Sequence, residues 1–118
     1  MTSFLDHIEA DDGAVIDPEH IPVALTAGTL LFDDGAIQVF DSDGTTTYTE
    51  HGRPSAGTWY VEGHAFCSFW PPSYTGCYRL TWLVEGGSIT GLRFDDLKNP
   101  SQFVGRYQGA NKEKPADV

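Results

Sequence analysis

His64 and Glu50 are the side chains of this sequence best suited to moving a proton. Tyr48 and Tyr78 are the ones suited to donating a hydrogen bond to a developing oxyanion. All four fall within or beside runs rich in Trp, Phe, Leu, Ile and Val. In an enclosed apolar space such a set would serve cofactor-free proton transfer: isomerisation, elimination or cyclisation of a small apolar substrate. The aromatics Trp59, Phe66, Trp70, Tyr78 and Trp82 read two ways, as a packed core or as the lining of a pocket for a flat or apolar ligand. Arg93, if inward, needs an acidic partner, with Glu50 the nearest candidate, or an anionic group on a ligand. The competing expectation is that Glu50 and His64 sit at strand ends on the rim with no specific task.

Other chemistries find little support. His64, Cys67 and Cys77 are ligand types that suit zinc, but His64 and Cys67 lie an odd number of residues apart on one strand and point to opposite faces. No metal site is expected. There is no nucleophile elbow, phosphate loop, dinucleotide fingerprint or metalloprotease helix, and no cofactor is expected.

The elements that must position these residues are short and alternating. From Gly28 onward, β-type runs occupy residues 28–32, 36–41, 45–50, 57–62, 64–70, 77–85, 88–94 and 102–107, with turn residues between them. Eight strands can close a small barrel. Asp34-Gly35, Asp43-Gly44, Glu62-Gly63 and Gly86-Gly87 suit two-residue turns, so neighbours in sequence should be antiparallel neighbours in space. The expected fold is therefore all-β, a single antiparallel up-and-down barrel. Longer connections are expected at 51–56, 71–76 and 95–101. A two-residue turn at Glu62-Gly63 pairs Val61 with His64 and Trp59 with Phe66, on the face that also holds Ser68 and Trp70. If Cys67 meets Cys77, both lie on the opposite face and Tyr78, Leu80, Trp82 and Val84 fall on the same side as Trp59. The same arithmetic at the other turns puts Leu30, Phe32, Ile37, Val39, Tyr48 and Glu50 on one side, and the two sets are the expected interior.

Residues 1–27 read as an irregular N-terminal segment packing on the barrel. It has a short helix over 3–10 and a second start at Asp17-Pro18-Glu19, which Pro22 limits to about one turn. Residues 28–108 form the barrel, and residues 109–118 read as a disordered tail.

A length of 118 residues suits one domain. The net charge is −10, and the first 52 residues carry eleven Asp or Glu and no Lys or Arg. Neither nucleic acid nor an anionic membrane is an expected partner, since both require clustered basic surface. No apolar run is long enough to span a bilayer, and the N-terminus lacks the basic start and apolar core of an export signal. A cytoplasmic location is expected, or an exported one if a leader was removed. Cys67 and Cys77 can close a ring across the Trp70-Pro71-Pro72 loop, or remain thiols in a reducing compartment.

The elements Gly57-Thr58-Trp59, Cys67-Ser68-Phe69-Trp70, Cys77-Tyr78, Ile89-Thr90-Gly91 and Gly105-Arg106-Tyr107 follow in an order that resembles a family of small bacterial β-barrel domains of unassigned function. The resemblance covers roughly residues 28 to 107. It implies a calycin-like barrel, often in exported proteins, and supplies neither a reaction nor catalytic residues. The absence of an export signal departs from that pattern. The G-x-W of lipocalins and avidins is a weaker echo, because theirs lies on the first strand and this one on the fourth.

Three functions fit these observations: binding of a small hydrophobic or aromatic molecule in the lumen, a cofactor-independent lyase, isomerase or cyclase using His64 and Glu50, and a protein-interaction module with an acidic face. A homodimer is expected if strands 1 and 8 leave open edges.

Overall fold

The computed structural model describes Leu5 and residues 8–108. Eight antiparallel strands, β1 (Leu30–Phe32), β2 (Ile37–Phe40), β3 (Thr45–Glu50), β4 (Arg53–Glu62), β5 (Ala65–Trp70), β6 (Tyr74–Glu85), β7 (Ser88–Asp96) and β8 (Gln102–Tyr107), follow chain order around a closed barrel. Closure comes from β8 pairing with β1, Tyr107 opposite Leu30 and Gly105 opposite Phe32. Neither strand therefore keeps a free edge at these positions. The expected helix over 3–10 falls largely outside the described residues, as does the tail from 109.

Loop length decides which side chains turn inward. Between β1 and β2 the loop has three residues, Asp33-Asp34-Gly35. Gly35 sits at φ 94°, the Gly35 N–H donates to the Phe32 carbonyl, and the Phe32 N–H donates to the Ala36 carbonyl. One residue more than expected exchanges the faces of β2. Gln38 and Phe40 are buried inside, whereas the expected Ile37 and Val39 face outward. The β2–β3 loop, Ser42-Asp43-Gly44, repeats this geometry with Gly44 at φ 95°. The second exchange cancels the first, so Tyr48 points inward as expected.

Two of the expected long connections are short. His51-Gly52 forms a two-residue turn with positive φ at both positions, and β4 starts at Arg53, with Pro54 on a stretch that only β3 flanks. Pro71-Pro72-Ser73, with a cis bond between the prolines, joins β5 to a β6 that begins at Tyr74. Pro22 also acts differently from expectation. A 3-10 turn (Pro18–His20) leads into helix α1 (Ile21–Thr26), where Pro22 stands in the first turn and helps start the helix.

The two barrel ends differ. The first carries the turns at 42–44, 63–64 and 86–87 and is filled by Leu30, Phe40, Leu80, Trp82, Leu92 and Tyr107, together with Ile16, Ile21 and Leu25. Residues 13–16 run along β6 beyond the end of β5, with Ile16 N–H donating to Leu80 O at 3.0 Å and Trp82 N–H to Ala14 O at 2.9 Å. The Tyr107 hydroxyl donates to the Ala24 carbonyl, fixing α1 to β8, and burial holds that phenol well above its ordinary range. Ile16, Ile21 and Leu25 are fully buried. Each contributes about 1.5–3 kcal/mol to holding the segment in place. At the second end, which carries the turns at 33–35, 51–52 and 71–73 and the 97–101 connection, the lumen is open.

Candidate functional site

The open end holds a cavity of about 490 Å³. Every strand except β4 supplies lining residues. On β4 the inward position is Gly57, where a Cβ would lie 2.6 Å from the Phe69 carbonyl oxygen and 2.7 Å from the Trp70 ring. The missing side chain lets the Trp70 indole lie across β4 and form one wall.

The walls are a chain of rings. Trp70 meets Tyr48 edge-on at 6.2 Å, Tyr48 meets Phe32 at 6.3 Å, Phe32 meets Phe94 at 5.5 Å and Phe94 meets Tyr78 at 6.3 Å. Phe66 stacks on Tyr78 at 5.8 Å, and Phe103 closes the series against Tyr78 at 6.3 Å. Offset and edge-to-face pairs of this kind hold rings in fixed places, so the apolar surface is set before any ligand arrives.

Two buried polar groups in the lining keep hydrogen-bonding capacity in reserve. Thr46 donates its only hydroxyl hydrogen to the Val39 carbonyl at 2.8 Å, so it must accept from the Gln38 amide nitrogen at 3.0 Å. That fixes the amide and leaves Gln38 Oε1 without a partner among the described residues, on a residue only 7% exposed. Ser68 is 3% exposed, and its oxygen accepts from the Trp70 indole N–H at 3.0 Å. Its hydroxyl hydrogen is uncommitted among the described residues. The cavity thus offers a carbonyl acceptor and a hydroxyl donor, both desolvated and both lacking a complement.

The two phenols in the lining stay protonated. Burial raises the Tyr48 hydroxyl above its ordinary range, and the charges of Glu50 and Asp34 add to the shift. Tyr78 is pushed up to about 12, first by burial and then by the neighbouring Tyr74, with Asp96 and Tyr48 contributing less. Both can donate a hydrogen bond at neutral pH, and neither can act as a base. Asp33 and Asp34 stand at the mouth, and among the described residues no Lys, Arg or His belongs to the lining.

The sequence-derived candidates separate into two groups. Tyr48, Tyr78, Phe66 and Trp70 line the cavity. His64, expected opposite Val61 on the inward face, is instead exposed in the Gly63-His64 turn, because Glu62 pairs with Ala65 and Val61 with Phe66. That turn lies at the filled end, away from the cavity. Glu50 is exposed at the end of β3 beside the mouth, 4.0 Å from His51. Trp59 packs edge-on to Phe40 at 6.1 Å and donates to the Asp41 carbonyl, and Trp82 belongs to the filled core. Arg93 lies on the outer face of β7. Its partner is Asp12 and not Glu50: a two-pronged contact at 2.9 and 3.2 Å ties the N-terminal segment to the barrel. Asp12 also accepts from the Val84 N–H.

Gln38 escaped sequence reasoning because its face depends on one loop residue. Phe32 and Ser68 were legible as inward, but nothing local marked them as lining open space. Cys67 and Cys77 are directly opposite on β5 and β6 and are joined by a disulfide on the outer face. His64 therefore has no thiolates with which to share a metal.

The closed eight-stranded barrel is the architecture that the resemblance to calycin-like domains implies. No family model, curated protein or solved structure matches the chain.

Proposed function

We propose that this barrel binds a small hydrophobic or aromatic molecule in the cavity at its open end. The observation that carries the proposal is the pairing of fixed aromatic walls with two buried polar groups whose hydrogen-bonding capacity is unspent. A protein that only needed a filled core would gain by closing this space or by pairing Gln38 and Ser68 internally. The volume falls within the ~300–1,000 Å³ common for small-molecule sites. Binding is favoured over catalysis in the lumen because His64 lies at the opposite end and the phenols that line the cavity hold their protons.

A neutral, environment-sensitive dye such as N-phenyl-1-naphthylamine tests this. Saturable, blue-shifted emission is expected with the wild-type protein. Trp70→Ala should weaken it about tenfold, a loss of about 1.4 kcal/mol. Trp59→Phe, a change outside the cavity, should leave it unaltered. No saturable binding, or equal effects of the two substitutions, would contradict the proposal.

A further inference from the structure

We propose that the cavity selects organic cations, taking an aromatic or apolar molecule that bears an ammonium group, with that group held at the mouth by Asp34. This rests on the binding role proposed above and adds the charge class of the ligand.

Among the described residues the lining contains two carboxylates and no basic side chain. Of the two, Asp33 is already engaged by Arg106 at 3.1 Å. Asp34 Oδ1 accepts from the Ala36 N–H at 3.0 Å, and Oδ2 has no partner among the described residues. The unpartnered acceptor Gln38 Oε1 lies on a nine-tenths buried side chain of the same lining. Two unused acceptors in one cavity match a ligand with N–H donors better than one with lone pairs alone. The rings around them suit the same ligand, because Trp70 and Tyr48 belong to the lining and aromatic π-systems attract a cation. The negative charge at the mouth reaches inward, since Asp34 and Glu50 both act on the Tyr48 hydroxyl. A carboxylate ligand would meet these charges after losing its water, with only neutral donors, the hydroxyls and the second amide hydrogen of Gln38, to replace it.

Three molecules with one ring system test the charge class: 2-(naphthyl)ethylamine as cation, 2-naphthaleneethanol as neutral and naphthaleneacetate as anion. Calorimetric titration at pH 7 into the full chain should rank them in that order, the amine binding about three- to tenfold tighter than the alcohol. Asp34→Asn keeps the acceptor for Ala36 N–H and so preserves the turn. It should bring the amine's affinity down to that of the alcohol and so abolish the preference. Glu50→Gln, a change outside the lining, should reduce the preference only in part, and 0.5 M salt should do the same. Equal affinities for the three, or tightest binding of naphthaleneacetate, would overturn the charge selection and leave the binding role standing. Binding of none would overturn both.

Discussion

The indole N–H of Trp70 donates to the hydroxyl oxygen of Ser68 two residues earlier on β5, at 3.0 Å. Both side chains belong to the cavity lining, and the bond holds the Trp70 ring as a wall while leaving the Ser68 hydroxyl hydrogen uncommitted among the described residues. Ser68→Ala removes this anchor. A stability loss of about 0.5–1.5 kcal/mol is expected in denaturant titration, with weaker ligand binding. An unchanged protein on both counts would mean the bond holds nothing in place.

Gly57 tests the wall from the opposite side. In Gly57→Ala the new methyl would meet the Phe69 carbonyl, which is backbone and cannot swing away. A destabilisation of about 1–3 kcal/mol is expected. The near-ultraviolet circular dichroism should also change as Trp70 is displaced. Wild-type stability and spectrum would show that Trp70 does not depend on the gap.

The Arg93 and Asp12 pair fixes the segment that fills the closed end. Arg93→Ala should raise amide exchange at residues 13–16 and leave cavity binding intact. The same pair sets an acid limit. The Asp12 carboxyl is held below its ordinary 3.8 by the Arg93 hydrogen bond and then by Val84 N–H. Asp43, Glu85 and Asp96 are lowered likewise, by Thr45, Arg106 and the Lys98 backbone N–H respectively. A depressed folded-state value favours the fold wherever the group is ionised. The stabilisation is therefore complete at neutral pH and is lost as pH falls through the ordinary carboxylate range and below. Melting temperature should decline on that acid limb, and less steeply in Asp12→Asn. An identical acid limb in the variant would remove Asp12 from the account.

The disulfide and the cavity occupy opposite faces of β5 and should be separable. Reduction opens an eleven-residue ring, a loss of about 2–3 kcal/mol by the loop-entropy relation. Dye affinity of the reduced, still-folded protein should match that of the oxidised form. Coupled loss of both would show that Cys67 shapes the lumen.

The alternation of bulky and small residues made the barrel legible. All eight strands overlap the runs that turn residues and alternation mark out, with β4 and β6 starting earlier than expected, and Trp70, Phe66, Tyr48 and Tyr78 face inward as expected. The misplacements have a common cause. Asp34-Gly35 and Asp43-Gly44 suit a two-residue turn, but each closes a three-residue loop, and one residue is enough to exchange Val39 for Gln38. At Gly63-His64 the turn moved by one position, which was enough to take His64 out of the lumen. The division into a filled and an open end was not legible, because it depends on contacts far apart in sequence. Ile16 reaches Leu80, Ala24 reaches Tyr107, and Asp12 reaches Arg93. Local pattern carries no information about such contacts.

On the proposed function, ligands enter the open end and meet Gln38 and Ser68. Titration of the isotope-labelled protein with 2-naphthaleneethanol, followed by nuclear magnetic resonance, tests it most directly. The account predicts saturable shifts in the Gln38 side-chain amide, the Ser68 backbone and the Trp70 indole N–H, with His64 and Trp82 unmoved. Shifts centred on His64, or scattered over the outer faces with Gln38 and Ser68 unaffected, would contradict it.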